Sequence, residues 1–141
     1  MNVREYIASA PDLVRIDAPV SSHLEAAAII AALGDRPALL TNVDGGKRVL
    51  SGFAGGRERI AQSLGISGMD LLHRLADALE NPQPTSIVSS PPCQEVVYDA
   101  PDLTRLPILK HLADDGGRYV TAGVATVRDP EFGRNVSYHR L

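Results

Sequence analysis

Residues 116–141 read GGRYVTAGVATVRDPEFGRNVSYHRL. From Tyr119 to Val127 the residues are β-branched or apolar with hardly a charge. Arg128-Asp129-Pro130-Glu131-Phe132-Gly133 then supplies turn chemistry, and Asn135 to Leu141 resumes an extended pattern. That order predicts a β-hairpin. Its second strand places an amide, a hydroxyl, a phenol, an imidazole and a guanidinium at Asn135, Ser137, Tyr138, His139 and Arg140. This is more polar equipment than a purely structural strand needs, and it marks a binding surface. In a regular strand, alternation sets Val136, Tyr138 and Arg140 on one face and Asn135, Ser137 and His139 on the other.

Working back from the hairpin, residues 81–92 read NPQPTSIVSSPP, with four prolines in twelve residues, an extended linker. Helical periodicity precedes it and strand-like sequence follows, so the expected boundary divides an α/β domain, 1–92, from a second unit, 93–141. In the first unit, Val3 to Ala10 patterns as a short amphipathic helix that Pro11 stops, and Leu13 to Ile16 as a strand. Ser21 and Ser22 are candidate N-caps, with Glu25 placed to complete a capping box. The helix His23 to Leu33 is nearly all Ala, Ile and Leu, which predicts burial of most of its circumference; Gly34 ends it. Ala38 to Thr41 is a short apolar run expected to be an interior strand, Asn42 to Lys47 a loop, and Val49 to Phe53 a second strand. The stretch GFAGGRER lacks the glycine spacing of dinucleotide folds and the Gly-Lys-Ser/Thr of the P-loop, so it reads as a strand-to-helix turn. Helices follow at Arg57 to Leu64, closed by Gly65, and at Ser67 to Glu80, with an apolar stripe of Leu71, Leu72, Leu75, Ala76 and Leu79.

Beyond the linker, Cys93 to Tyr98 alternates enough to be a strand, with Cys93 as a small buried hydrophobe rather than a nucleophile. Asp102 to Leu109 suggests a turn and strand. His73 has no second ligand at metal spacing, and Asp114-Asp115-Gly116-Gly117 after His111 is ordinary turn chemistry.

Composition narrows the function. The chain has 141 residues, 44% of them apolar, enough for a core, and carries a net charge of −3 with its 14 basic residues scattered. Nothing in that balance points to nucleic acid. One cysteine excludes an internal disulfide, no run approaches the ~20 apolar residues of a membrane span, and the N-terminus lacks a signal-peptide core. A cytoplasmic protein is expected.

Several ordered motifs together resemble a family. Leu106-Pro107-Ile108-Leu109, Asp114-Asp115-Gly116-Gly117, Tyr119-Val120-Thr121, Arg128-Asp129-Pro130, Gly133 and Asn135-Val136-Ser137-Tyr138-His139-Arg140 are similar to the UbiD-type decarboxylases, which use prenylated FMN. Asp12 to Ile16, Arg57 to Ala61 with Leu64-Gly65, and Pro92 to Val97 fall in the family's order too. The resemblance covers essentially the whole chain but roughly the first third of what the family contains. It implies an N-terminal α/β domain followed by the first strands of a split β-barrel that binds flavin. It also implies prenylated FMN with Mn²⁺ or Mg²⁺, allows K⁺, and gives as substrate an aromatic or α,β-unsaturated carboxylic acid, decarboxylated non-oxidatively and reversibly.

By the same resemblance Asn135 ligates the metal that holds the flavin phosphate, and Arg140, the catalytic residue, lies against the flavin and the substrate carboxylate. Backbone groups of Tyr138 and His139 run along the flavin, and Thr121 places a hydroxyl near it. An amide oxygen suits Mn²⁺ or Mg²⁺, and a guanidinium fork matches a carboxylate. Because strand alternation would separate Asn135 from Arg140, an irregularity is expected at Asn135 to Tyr138: either a β-bulge, or Asn135 still within the turn. His139 departs from the family's more usual tyrosine or alanine.

The family's remaining metal ligands and its acid–base carboxylates have no counterpart before Leu141, and loss of such a proton donor costs roughly 10²–10⁴ in rate. The chain is therefore expected to be a truncated product or a subunit completed by a second polypeptide, with a homo-oligomer expected of the complete enzyme. The alternative is a non-catalytic module that binds a partner chain or flavin without turnover.

Overall fold

The computed structural model describes residues 2–121 and 123–141, so Ala122, inside the predicted first hairpin strand, lies outside it. Helix α1, Val3–Ser9, is fixed by a cap that the sequence reading did not include. The Asn2 side chain accepts the Glu5 amide at 2.9 Å and the Glu5 carboxylate accepts the Asn2 amide at 3.0 Å, a reciprocal capping box. The helix stops at Ala10, whose ψ of 114° is the extended conformation a following proline imposes.

Three strands form the first sheet in the order β1-β2-β3. Strand β1, Val14–Ile16, runs parallel to β2, Ala38–Val43, and β3, Lys47–Ser51, runs antiparallel to it. The apolar run in β2 is interior, as its composition predicts: Ala38, Leu39, Leu40 and Val43 are each no more than 1% exposed. Adjacent residues point to opposite faces of a sheet, so burial of three in succession means that both faces are covered. Helix α2, Glu25–Leu33, connects β1 to β2. One core joins Val20, Ala26, Ala38, Leu40 and Val43 to Leu109, with Ile16, Ile29, Ile30 and Val49 packed against it.

Two expectations for α2 are corrected. The capping box does not form: the helix opens at Leu24, which has a φ of 68° and no side-chain cap bond. Glu25 instead accepts the Ser21 amide at 2.7 Å, and Ser22 is drawn away to Asp44. Nor is most of the circumference buried, since only Ala26 and Ala27 are, while Ala28, Ala31 and Ala32 are exposed. A helix lying on one sheet face meets it along one stripe, and alanine tolerates the open side without large apolar exposure.

Helix α3, Arg57–Ser63, and helix α4, Leu71–Glu80, complete the first half. Residues 67–70, expected as the first turn of α4, form a separate turn with the Ser67 hydroxyl bonded to Asp70. Residues 81–91 contain no helix or strand, consistent with a linker. The strand expected at Cys93 to Tyr98 is a 3-10 turn, Pro92–Gln94, followed by bends, and Cys93 is exposed rather than buried. Pro91 and Pro92 lock φ and remove two ladder donors, a better start for a tight turn than for a strand.

Beyond a second 3-10 turn, Leu103–Arg105, the chain returns to the first sheet's neighbourhood. His23 and Lys110 form a parallel bridge, with the Lys110 amide donating to the Ser22 carbonyl at 3.0 Å and the Leu24 amide to the Lys110 carbonyl at 3.1 Å. Leu109 enters the core at this point. The turn expected at Asp114 to Gly117 begins at Ala113 and continues as bends at Gly116 and Gly117, with the Leu112 amide donating to the Asp115 carboxylate at 2.9 Å. The hairpin follows, so its first strand begins a few residues from an anchored backbone.

Candidate functional site

The hairpin forms where the sequence places it. Strand β4, Gly123–Asp129, pairs antiparallel with β5, Gly133–His139. Asp129 organises the turn by accepting the Glu131 and Phe132 amides, both at 2.8 Å. Those two bonds hold its carboxyl below the usual carboxylate range. Gly133 closes the turn at a φ of +79°, a conformation costly for other residues.

The expected irregularity at Asn135 to Tyr138 is absent. The ladder runs without a shift from Asp129 opposite Gly133 to Gly123 opposite His139, with Asn135 inside β5 opposite Val127. Asn135 is therefore neither bulged nor in the turn, and it shares a face with Ser137 and His139. The physical reason lies across the ladder, where Gly123, Ala125 and Val127 oppose His139, Ser137 and Asn135 and pack without forcing either strand to bend.

The register changes one step later. Val120 and Leu141 exchange backbone hydrogen bonds of 2.9 and 3.2 Å. Between that pair and Gly123–His139 the pairing shifts by one residue, with Arg140 between the two pairs on the second strand. The added residue lies on the opposite strand, so the alternation of β5 carries through to Arg140, which falls on the face of Val136 and Tyr138 and not on that of Asn135. Gly123 borders the irregularity, and a Cβ there would come within 2.8 Å of the His139 carbonyl oxygen, so the two backbones approach as closely as they do because the residue is glycine.

Of the residues singled out in the sequence, Thr121 and Arg140 are thus enclosed by the same two pairs. Asn135, Ser137 and His139 line the face whose opposing residues are small, and Tyr138 points to the other face, 85% exposed. Asn135 and Arg140 are both exposed. Hollows in the described surface include one of about 250 Å³ among Val3, Tyr6, Phe53 and Ile60, one at Pro91 and Pro92, and one beside Asp12 and Arg57. None is lined by a residue beyond Glu95, so a concavity joining Asn135 to Arg140 is not among them.

Sequence reading missed the residues that hold Arg140. Its guanidinium lies 5.0 Å from the centroid of the Tyr119 ring, within the range of a cation–π contact. Next to Tyr119, Arg118 reaches the opposite way and donates from one Nη1 to the Ile108 carbonyl at 2.6 Å and to the Ser22 hydroxyl. Ser22 is fully buried. Its hydroxyl donates to Asp44 Oδ2 and its amide to Oδ1 at 2.9 Å. The Ser22 hydroxyl first and its amide second hold the Asp44 carboxyl below the usual range. Asp44 adopts a φ of +46° to present that carboxylate, in a turn where Gly45 and Gly46 are also left-handed. A serine between a strand and a helix signals an N-cap, which is why Ser22 read as one; only the tertiary fold shows its other partners.

Among the described residues no group of three or more His, Cys, Asp and Glu could hold a metal ion. As one neutral oxygen donor, Asn135 would be a single ligand in a larger set. As residue types, a carboxamide at Asn135, a hydroxyl at Thr121 and a guanidinium at Arg140 suit a phosphate-bearing ring and a carboxylate, while all three are exposed on the described surface.

Comparison with known proteins identifies the architecture. A model of the 3-octaprenyl-4-hydroxybenzoate carboxy-lyase N-terminal domain matches residues 4–79, and one of the Rift-related domain of the same carboxy-lyase matches residues 86–141. The chain belongs to the UbiD family. Anhydromevalonate phosphate decarboxylase of Methanothermobacter thermautotrophicus is 39% identical over 89% of the chain and 30% of the relative. The enzyme of that name from Methanosarcina mazei is 35% identical over 100% of the chain and 33% of the relative. The chain thus spans about a third of the length of these UbiD-family relatives. An evolved dimeric form of the UbiD-class enzyme HmfF from Pelotomaculum thermopropionicum, solved with prFMN, superposes with a TM-score of 0.86 at 35% identity, over 97% of this chain and 34% of that one. The 3,4-dihydroxybenzoic acid decarboxylase AroY of Klebsiella pneumoniae gives 0.81 at 28% identity, over 97% and 33%. The mixed α/β fold expected from the sequence is that of these UbiD-family structures. No described helix is long and apolar enough to cross a membrane.

Proposed function

We propose that this chain supplies the α/β domain and the first hairpin of a split-barrel flavin site in a UbiD-type decarboxylase. The reaction is the reversible, non-oxidative loss of CO₂ from an aromatic or α,β-unsaturated carboxylic acid, with prenylated FMN and Mn²⁺ or Mg²⁺. The observation that carries this reading is the match of residues 86–141 to the Rift-related domain of the carboxy-lyase, with Thr121 and Arg140 bracketed by the Val120–Leu141 and Gly123–His139 pairs at the end of the hairpin.

In this reading Arg140 binds the substrate carboxylate, since its planar fork can pair with both oxygens and stays charged at any working pH. Holding the carboxylate in one orientation removes rotational freedom that would otherwise oppose the reaction. The Asn135 carbonyl oxygen is one ligand of the metal, a hard donor suited to a cation that also meets phosphate oxygens. Thr121 and the backbone of Tyr138 and His139 lie along the ring system. Prenylated FMN, when bound, supplies the electron sink needed at the carbon that loses CO₂. The proton donor is assigned to no residue of this chain.

Several relatives bear the name anhydromevalonate phosphate decarboxylase, so that acid belongs in the trial set beside cinnamate-like and hydroxybenzoate acids. The test titrates the purified chain with prenylated FMN, with and without Mn²⁺, and assays CO₂ release from each acid. Metal-dependent binding that is lost in Asn135→Ala supports the assignment. Binding without CO₂ release favours a chain that works with a complementing polypeptide or as a non-catalytic module. Binding that ignores both Mn²⁺ and Asn135 overturns the metal role, and turnover by the chain alone overturns the need for a partner.

A further inference from the structure

The Ser22, Asp44 and Arg118 cluster lies outside the residues assigned to the flavin and substrate, yet it bears on Arg140. Its members come from three places: the loop before α2, the turn between β2 and β3, and the segment entering the hairpin. Ser22 is wholly buried, and every polar group it carries is used: its amide and hydroxyl bind Asp44, the hydroxyl also accepts from Arg118, and its carbonyl accepts the Lys110 amide. Arg118 also binds the Ile108 carbonyl, so one guanidinium nitrogen ties two separate segments together. Asp44 sits at a positive φ in the tight β2–β3 turn, a conformation aspartate tolerates better than most residues, and from there its carboxylate reaches Ser22.

Arg118 is covalently adjacent to Tyr119. The Arg118 side chain is held at Ser22 and Ile108 while the ring of the next residue lies at Arg140, so the two neighbouring side chains reach different parts of the molecule. That ring meets Arg140 at 5.0 Å, and the next residue, Val120, pairs with Leu141 through two backbone bonds. Arg140 thus meets the ring of Tyr119, and its neighbour Leu141 pairs with Val120, in the segment that begins at the tethered Arg118.

We propose that Arg118 and Tyr119 are positioning residues for Arg140: the Ser22–Asp44 clamp holds Arg118, and Arg118 sets the ring that orients the Arg140 guanidinium. The value of that orientation for carboxylate binding rests on the function proposed above, whereas the orientation itself is measurable without it. The arrangement makes the α/β domain part of the site at a distance, since loss of a buried serine hydroxyl in one unit loosens a guanidinium in the other.

The experiment is an NMR measurement on the purified, ¹⁵N-labelled chain, following the Arg140 Nε–Hε signal, assigned by its disappearance in Arg140→Lys. In the native chain the Tyr119 ring current displaces this signal, and Tyr119→Leu abolishes the displacement. Ser22→Ala and Arg118→Gln are expected to remove at least half of it while the amide signals of Leu39, Leu40 and Val43 stay in place. Full displacement in both variants overturns the proposal, and so does a signal that Tyr119→Leu leaves unmoved. Should Arg118→Gln unfold, Arg118→Lys decides on the same readout, since its ammonium keeps the charge but loses the guanidinium geometry that reaches both Ser22 and Ile108. Failure of the chain to bind prenylated FMN with these displacements intact would count against the proposed function and leave the positioning role standing.

Discussion

The guanidinium of Arg140 lies over the ring of Tyr119, 5.0 Å from its centroid. The contact is half-exposed, so it is worth about 0.5–1 kcal/mol, enough to favour one orientation of a flexible side chain without fixing the fold. Replacing Tyr119 by Phe keeps a π face and should preserve most of the order at Arg140, whereas Leu should release it. Heteronuclear relaxation at Arg140 Nε measures this: Tyr119→Leu should become mobile on the nanosecond scale and Tyr119→Phe should remain near the native value. Thermal stability should change little in either.

Gly123 is a second control point. An added Cβ meets the His139 carbonyl oxygen at 2.8 Å, and because that atom is backbone it cannot swing aside. Gly123→Ala should therefore part the strands where Thr121 and Arg140 are enclosed, at a cost of about 1–3 kcal/mol, typical of overpacking. Hydrogen exchange checks it: the Val120 and Leu141 amides should lose protection in the variant, while the amides of Val124 to Val127 keep theirs.

Much of this arrangement was legible in the sequence, and the parts that were not share a cause. The hairpin, the buried β2 and the absence of helix or strand over residues 81–91 announce themselves through local pattern: β-branched runs, a turn of Asp, Pro and Gly, and clustered prolines. The UbiD resemblance likewise rests on order along the chain. What local pattern misled was partner choice. Cys93 to Tyr98 alternates like a strand but finds no strand to pair with, and α2 reads as buried all round because alanine is apolar yet content in water. Ser22 read as a helix cap because its true partners, Asp44 and Arg118, are 22 and 96 positions away. The irregularity expected at Asn135 to Tyr138 does not form; the register shift lies on the opposite strand between Val120 and Gly123, which pattern along β5 alone does not reveal.

Acid should weaken the fold through its depressed carboxylates. Asp12 is held below the usual range chiefly by its hydrogen bond from Arg59, and Asp44 chiefly by the Ser22 hydroxyl. A carboxylate whose folded pKa lies below its unfolded value, about 3.9, contributes stability that is present above that value and lost as pH falls through the folded pKa. The urea midpoint should thus be flat near neutrality and fall below about pH 4. Asp12→Asn should start lower, because the Arg59 contact at 2.6 Å loses its charge, and should show a shallower acid slope. An identical slope in the variant would remove Asp12 from the linkage.

Burial separates two leucines that pattern alone treats alike. Leu40 in β2 is 0% exposed and inside the core cluster, so Leu40→Ala removes three carbons from a closed site and should cost 2–5 kcal/mol, roughly the range for such cavities. Leu79 belongs to the predicted apolar stripe of α4, yet it is 84% exposed, and Leu72 beside it 70%. Leu79→Gln keeps helix propensity and loses almost no buried area, so its unfolding free energy should match the native chain within about 0.5 kcal/mol. Urea denaturation of the two variants is the check. Of the α4 stripe Leu71 is buried while Leu72, Leu75 and Leu79 are exposed, so its contribution to stability is concentrated at Leu71, because hydrophobic gain follows the area removed from water and not the pattern that offers it.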